Sequence, residues 1–326
     1  MWLGIEIGGT KLQLGVGPDD GKLRGLWRGT VDVAAGPEGI RRQIVVAVPE
    51  LLAKAGTERS DLRGVGIGFG GPIDDATRTV IKSHQIEGWD NFPLANWISE
   101  VVGLPAALGN DADVAGLAEA LHGAGKGLSP IFYITIGSGI GGGFIINGEI
   151  YRGCGRGAAE IGHLRLLAGE WTQDGQWDTE EEQTLESVAS GWALGWLAQV
   201  SAKHNPREYE ALLHLAGDDV NKITSQHLCE AARQGHRSVQ ALLEMPLFYL
   251  THSICYVITL LCPRRIVIGG GVSLMGEKLL FEPLRRRVAE RVFKPFAGLT
   301  DIVPAALGEE VVVHGAIALA RQRLAG

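Results

Sequence analysis

The sequence predicts an α/β protein of two lobes with a cleft between them, and three observations carry that reading. Apolar runs of strand length alternate with longer stretches of helical periodicity. Two of the strand runs open into glycine-rich loops, Gly8-Gly9-Thr10-Lys11 and Gly137-Ser138-Gly139-Ile140-Gly141-Gly142-Gly143, and each loop is followed by another apolar run, so a hairpin with a glycine tip occurs twice. The chain has 326 residues, enough for about two domains, each with its own core. Glycine has no side chain and tolerates positive φ, so such loops can set successive backbone N–H groups against phosphate oxygens. The pair therefore reads as a two-sided phosphate clamp.

The elements follow in order. Residues 2–7 and 12–16 flank the first loop as a β-hairpin. A helix after Pro37 carries Ile40, Ile44, Val45, Val48, Leu51 and Leu52 at helical spacing. Residues 63–69 form the next strand and run into Gly70-Gly71-Pro72-Ile73-Asp74. A strand region over 101–108 delivers Asn110-Asp111 to an alanine-rich helix over 114–122. The pattern then restarts with strand 131–136, the second glycine loop and strand 144–146. A long helical stretch over 185–261 contains a polar insertion around 214–224. Strand 265–268, a third glycine cluster at Gly269-Gly270-Gly271-Val272, and a last helix over 311–324 complete the chain.

Composition narrows the function. Apolar residues make up 45% and charged residues 21%, which excludes wholesale disorder. A formal charge of -7 leaves no basic face for nucleic acid, and the one basic cluster, Arg285-Arg286-Arg287, reads as the solvated face of a helix. Cys154, Cys229, Cys255 and Cys262 form no C-x-x-C pair and are too few to staple such a chain, so reduced thiols and a cytoplasmic setting are expected. The N-terminus enters a strand at once, without the features of a signal peptide. The most apolar segment, 247–262, is shorter than the ~20 residues of a membrane span and is expected to be a core helix.

These motifs resemble those of the ROK family of sugar kinases and sugar-responsive repressors, within the actin–hexokinase superfamily, over nearly the whole chain. Residues 5–11 look like the first phosphate motif, 135–143 like the second, 268–272 like the adenosine motif, and Glu160-Ile161-Gly162-His163 like the sugar-binding signature. No P-loop sequence occurs. The resemblance implies a two-lobed actin/hexokinase-like (ribonuclease H-like) fold with an interlobe cleft. The expected lobes are 1–115 plus 308–326, and 116–307. It also implies ATP and Mg²⁺ and a homodimer or homotetramer, while the short apolar segment argues against a membrane partner.

Phosphoryl transfer needs a held metal–triphosphate, an in-line hydroxyl and a base. From spacing alone, Asn110 or Asp111 reads as a helix cap. The resemblance assigns the catalytic base to Asp111, and sugar contacts to Asn110, Glu160, His163, Glu186 and the backbone at Gly71. Read by itself, Glu186 is a solvated carboxylate following the acidic run Glu180-Glu181-Glu182. The phosphate and nucleotide contacts fall to Gly8, Gly9, Thr10, Lys11, Gly137, Ser138, Gly139, Gly269, Gly270 and Gly271.

The chain departs from the family pattern twice. Glu6 stands where most members have Asp, which sets the carboxylate expected to hold Mg²⁺ through water one methylene further out. The cysteine-rich zinc loop of many members is replaced by Trp177-Asp178-Thr179-Glu180-Glu181-Glu182-Gln183-Thr184-Leu185-Glu186, so no zinc site is expected, and Trp171 or Trp177 is expected to pack the loop instead. The implied activity is an ATP-dependent hexose kinase, most simply a glucokinase acting on the 6-hydroxyl. Fructose, N-acetylmannosamine, N-acetylglucosamine and allose remain alternatives, and Gln85 stands where the family often has a sugar-side Asn. Polyphosphate in place of ATP is a further alternative. A non-catalytic sugar sensor is the competing class, although a strand beginning at Trp2 leaves no room for the repressors' helix-turn-helix.

Overall fold

The computed structural model describes residues 1–83, 86–166, 170–171, 177–178 and 183–325. In the first sheet, β1 (Trp2–Ile7), β2 (Lys11–Gly17) and β3 (Gly25–Thr30) form an antiparallel meander. On the other side of β1, β4 (Val65–Phe69) and β5 (Ala106–Asn110) add in parallel, giving the order β3-β2-β1-β4-β5. β1 and β4 are buried at every position, without alternation, because both their faces are covered, whereas the edge strand β3 is not. Leu3, Ile5 and Ile7 join a core with Ile40, Ile44 and Leu51 of α1 (Gly36–Ala55) and with Leu94 and Ile98 of α2 (Leu94–Val102). Pro37 in the first turn starts α1, and Gly56, left-handed at φ 58, ends it. Val45, expected on the buried stripe, is exposed because it lies one helical step past Ile44.

The 101–108 strand region proves to be two elements. Val101 and Val102 close α2, Gly103 caps it in the left-handed region, and β5 starts only after Pro105. The alanine-rich helix, α3 (Asp111–His122), begins directly at Asp111.

A second sheet contains β6 (Ile131–Ile136), β7 (Ile140–Ile146), β8 (Glu149–Ile150), β9 (Arg265–Gly269) and β10 (Asp301–Pro304) in the order β8-β7-β6-β9-β10. The expected continuous helical stretch is broken into α4 (Leu185–Ala189), α5 (Gly191–His204), α6 (Glu210–Leu215), α7 (Ser225–Arg233), α8 (Arg237–Ala241) and α9 (Glu244–Leu261). Side-chain caps mark the start and the first break: Thr184 accepts from Ser187 N at the start of α4, and Ser190 accepts from Ala193 N where α5 begins. By length and composition, residues 237–261 are apolar enough to cross a membrane, yet over half of that window is buried inside the protein, as in a core helix. In α10 (Glu282–Arg291), two of the clustered arginines are paired: Arg285 reaches Glu277 at 2.6 Å and Arg287 reaches Glu244 at 2.6 Å. The four cysteines are free thiols.

Contacts divide the chain into two compact units: Met1–Tyr133 with Gly143–Ala159 and Ala305–Gly326, and Ile134–Gly142 with Glu160–Pro304. This differs from the expected division, in which residue 115 ended the first lobe. That boundary would cut α3, whose whole length belongs with the first unit because α11 (Val311–Leu324) packs against it. A Cβ at Gly315 of α11 would stand 1.8 Å from Val114 O of α3. On the sheet side, a Cβ at Gly66 would stand 1.7 Å from Ala316 O, so glycine is what lets helix and strand meet backbone to backbone. Glu119 secures the entry to this helix. It is fully buried, and its carboxylate accepts from Ala306 N and Leu307 N at 2.9 Å each and from Ala124 N at 2.7 Å.

Candidate active site

In the first unit the expected residues gather at the carboxyl ends of parallel strands, where open α/β sheets bind ligands. Register sets Ile7 beside Phe69 and Phe69 beside Asn110, so the chain leaves β1, β4 and β5 at one level. Three groups emerge there: the Gly8-Gly9-Thr10-Lys11 turn, Gly70-Gly71, and Asn110-Asp111. The turn closes through Gly8 N donating to Lys11 O at 3.0 Å, and Gly70 N donates to Ile7 O at 2.9 Å. A Cβ at Gly70 would lie 3.4 Å from Asp111 Oδ2 and 3.7 Å from the Gly8 Cα. Gly70 thus lies between the aspartate and the first glycine loop; sequence reading named only its neighbour Gly71, for a sugar contact through the backbone.

The cap of α3 belongs to Asn110. Its Oδ1 accepts from Ala112 N at 2.9 Å and from Asp113 N at 3.3 Å, while Nδ2 donates to Gly71 O at 3.1 Å. One amide therefore ties the helix start to the Gly71 backbone. A Cβ at Gly71 would meet Lys82 O at 2.6 Å, which explains glycine there by close packing. Asp111 is half-buried, and its Oδ1 accepts from Ala112 N at 2.8 Å.

Glu6 is only 5% exposed. Its Oε1 is 3.0 Å from Lys11 Nζ, which also donates to Glu309 O at 3.2 Å. Its Oε2 is buried and has no hydrogen-bond partner among the described residues. Burial pushes the Glu6 carboxyl up to about 7 against the lowering pull of Lys11, with Asp111 and Glu309 adding repulsion. Gln13, directly opposite Glu6 in the β1–β2 register, also holds a buried Oε1 with no partner among the described residues. Gln13 and Glu309 were not expected at this site, and nothing in the local motif marks them.

In the second unit, the glycine loop between β6 and β7 is fixed through its backbone. Gly137 N donates to Gly139 O at 2.9 Å, while Gly191 N and Trp192 N of α5 donate to Gly137 O and Ser138 O at 2.7 and 3.3 Å. Glu186 Oε2 accepts from Ile140 N at 2.7 Å, and a Cβ at Gly139 would fall 2.5 Å from that same oxygen. The sugar signature makes a tight turn, with Ile161 and Gly162 buried and Glu160 and His163 exposed. A Cβ at Gly162 would lie 2.0 Å from Ile140 O, so the signature packs directly on the first residue of β7. The third glycine cluster follows β9. Gly270 is left-handed at φ 84, and a Cβ there would meet Ile136 O at 2.5 Å, which sets the cluster against the end of β6. Ser273 Oγ donates to Gly270 O at 2.7 Å and holds the turn.

The structure thus brings Glu6, Gly8, Gly9, Thr10, Lys11, Gly71, Asn110 and Asp111 together in the first unit. Gly137, Ser138, Gly139, Glu160, His163, Glu186, Gly269, Gly270 and Gly271 share the second. Gln85 and, from the stretch standing in for the zinc loop, Thr179, Glu180, Glu181 and Glu182 lie outside the described residues; Trp171 and Trp177 are backbone partners in a short antiparallel pair.

The sequence profile of the ROK family matches residues 2–323. The glucokinase of Thermotoga maritima is 30% identical over 326 residues, covering 99% of this chain and 98% of that protein. The glucokinase of Streptomyces coelicolor is 33% identical over 330 residues, covering 98% and 97%. Among solved structures, the ROK family glucokinase from Streptomyces griseus in complex with glucose and AMPPNP superposes with a TM-score of 0.83 at 32% identity, covering 98% of this chain and 99% of that one. The fold, the motifs and these matches agree: the chain belongs to the ROK family and is a sugar kinase with the actin/hexokinase-like fold.

Proposed function

We propose that the protein transfers the terminal phosphoryl group of ATP to a hexose, and that the acceptor is the 6-hydroxyl of glucose. The observation that carries this reading is the position of Asp111. Asn110 takes the helix cap, and Asp111 Oδ2 lies next to Gly70 at the strand ends; in this reading Asp111 accepts the hydroxyl proton. The glucose assignment is supported by the glucokinase relatives, and the donor by the AMPPNP complex of the Streptomyces griseus enzyme.

In this reading Glu160, His163 and Glu186 hold the sugar hydroxyls by directional, charge-assisted hydrogen bonds. Asn110 donates one amide hydrogen to Gly71 O and has a second for a sugar oxygen. The Gly8-Gly9-Thr10-Lys11 turn and the loop at Gly137, Ser138 and Gly139 receive the phosphates, and Gly269, Gly270 and Gly271 seat the adenosine. Mg²⁺ fits the first unit on one count: Glu6 presents a buried carboxylate oxygen with no partner among the described residues, and a carboxylate is the hard oxygen donor this ion prefers. When bound, the ion neutralises charge on the triphosphate. Lys11, 3.0 Å from Glu6, is the residue that sets the local balance of charge.

The test is a coupled assay of purified protein with Mg²⁺, a hexose panel, and ATP or polyphosphate as donor. Turnover on glucose with ATP is the expected result. Faster turnover on fructose, allose or an N-acetylated hexosamine reassigns the substrate, and preference for polyphosphate reassigns the donor. Sugar binding without turnover on any pair identifies a sensor instead.

A further inference from the structure

We propose that Glu186 is a positioning residue that fixes the second glycine loop in the conformation that receives the donor's phosphates. The proposal rests on the kinase reading above. It begins with one contact: Glu186 Oε2 accepts the Ile140 N–H at 2.7 Å, across 46 residues of sequence. Hydrogen bonds to a carboxylate are shorter and stronger than neutral ones.

The carboxylate is itself held in place. Leu185, its neighbour, is fully buried and donates from its backbone N to Leu164 O at 3.0 Å, while Thr184 Oγ1 accepts from Ser187 N at 3.2 Å. The start of α4 is thereby tied to the segment that follows the sugar signature. On its other side, the Ile140 peptide is covered by Gly162, where a Cβ would come within 2.0 Å of the carbonyl oxygen. Ile140 is gripped at its N–H by Glu186 and at its C=O by the signature turn. The close approach of Glu186 Oε2 to Gly139 gives that glycine a second reason to lack a side chain, besides any contact with phosphate. In the kinase reading the other Glu186 oxygen serves the sugar, so one side chain would link acceptor binding to the shape of the donor loop.

The experiment compares wild type, Glu186→Gln and Glu186→Ala, with thermal unfolding to confirm that each is folded. The first readout is amide hydrogen exchange of the peptide containing Ile140. The second is calorimetric affinity for AMPPNP without sugar. Glu186→Ala is expected to speed exchange at Ile140 and weaken AMPPNP binding by about tenfold each. Glu186→Gln keeps a carbonyl acceptor for the N–H and is expected to restore both to within about threefold. Unchanged exchange and AMPPNP affinity in Glu186→Ala, with sugar affinity alone reduced, would overturn the proposal and leave Glu186 a sugar ligand. The outcomes separate the two readings. Exchange and AMPPNP results as expected, with no sugar phosphorylated by wild type, reject the kinase and keep the positioning role. Turnover by wild type, with loop exchange and AMPPNP affinity unaltered in Glu186→Ala, does the reverse, and a wild type that binds no AMPPNP rejects both.

Discussion

The two glycine loops look alike in sequence but are held by different physics. The loop at Gly8-Gly9-Thr10-Lys11 turns beside a buried charge: Glu6, 5% exposed, pairs with Lys11 and keeps one oxygen without a partner among the described residues. The loop at Gly137-Ser138-Gly139 is held by backbone donors from α5 and by Glu186 on Ile140. A loop supported by fixed backbone geometry is sensitive to shape. One whose neighbour is a desolvated carboxylate is sensitive to protons and cations. The same glycine pattern therefore supports two distinct devices, and substitution can separate them.

The largest expected effect lies at the strand ends. Asp111→Ala is expected to lower kcat by about a thousandfold while sugar affinity, read by calorimetry, moves by less than about threefold, as for a group that acts in the transition state. Near-normal turnover would reduce Asp111 to a second acceptor for Ala112 N. The glycine loops come next. In Gly139→Ala the new methyl would fall 2.5 Å from Glu186 Oε2 and drive the carboxylate off Ile140. A rise in KM for ATP of about tenfold with a Tm close to wild type is expected, since a flexible side chain can move aside. In Gly8→Ala the nearest atom is Lys11 O at 3.3 Å, which needs only a small adjustment. Its KM is expected to change by about threefold or less. Equal effects from the two substitutions would dissolve the distinction between the loops.

The glycine-tipped hairpins were legible because strand runs flank each loop over a few residues, and local pattern is what sequence shows best. Asn110 and Asp111 were legible as a pair, but the division of labour between cap and base was not, since either residue type caps well. Val101 and Val102 read as strand from their β-branched side chains, and the left-handed Gly103 that ends α2 shows why that reading failed. The contacts that distinguish the loops were hidden for a different reason. Glu186 meets Ile140 across 46 residues, and Lys11 meets Glu309 across 298, so no local spacing carries either signal. Gly66 and Gly315 likewise looked like ordinary glycines until the helix they admit was in place.

The finest test of the comparison is titration, because the first loop sits beside a carboxyl displaced into the neutral range. Glu6 is raised from 4.5 to about 7, so between those values the folded protein holds a proton that the unfolded chain releases. Stability from this group is therefore fully present below the unfolded value and falls as pH rises through the window, by on the order of 3 kcal/mol in total. Glu6→Gln removes the titration. Denaturant unfolding should show the variant level with wild type near pH 4.5 and more stable by about 2–3 kcal/mol at pH 8, with Lys11 turning to solvent once its partner is neutral. Nucleotide affinity in the presence of Mg²⁺ should move the other way. In wild type it strengthens as Glu6 ionises towards pH 8, whereas in Glu6→Gln it stays flat and weaker. A Glu6→Gln profile that still falls between pH 4.5 and 7 would place the titration on another group and remove the electrostatic half of the contrast.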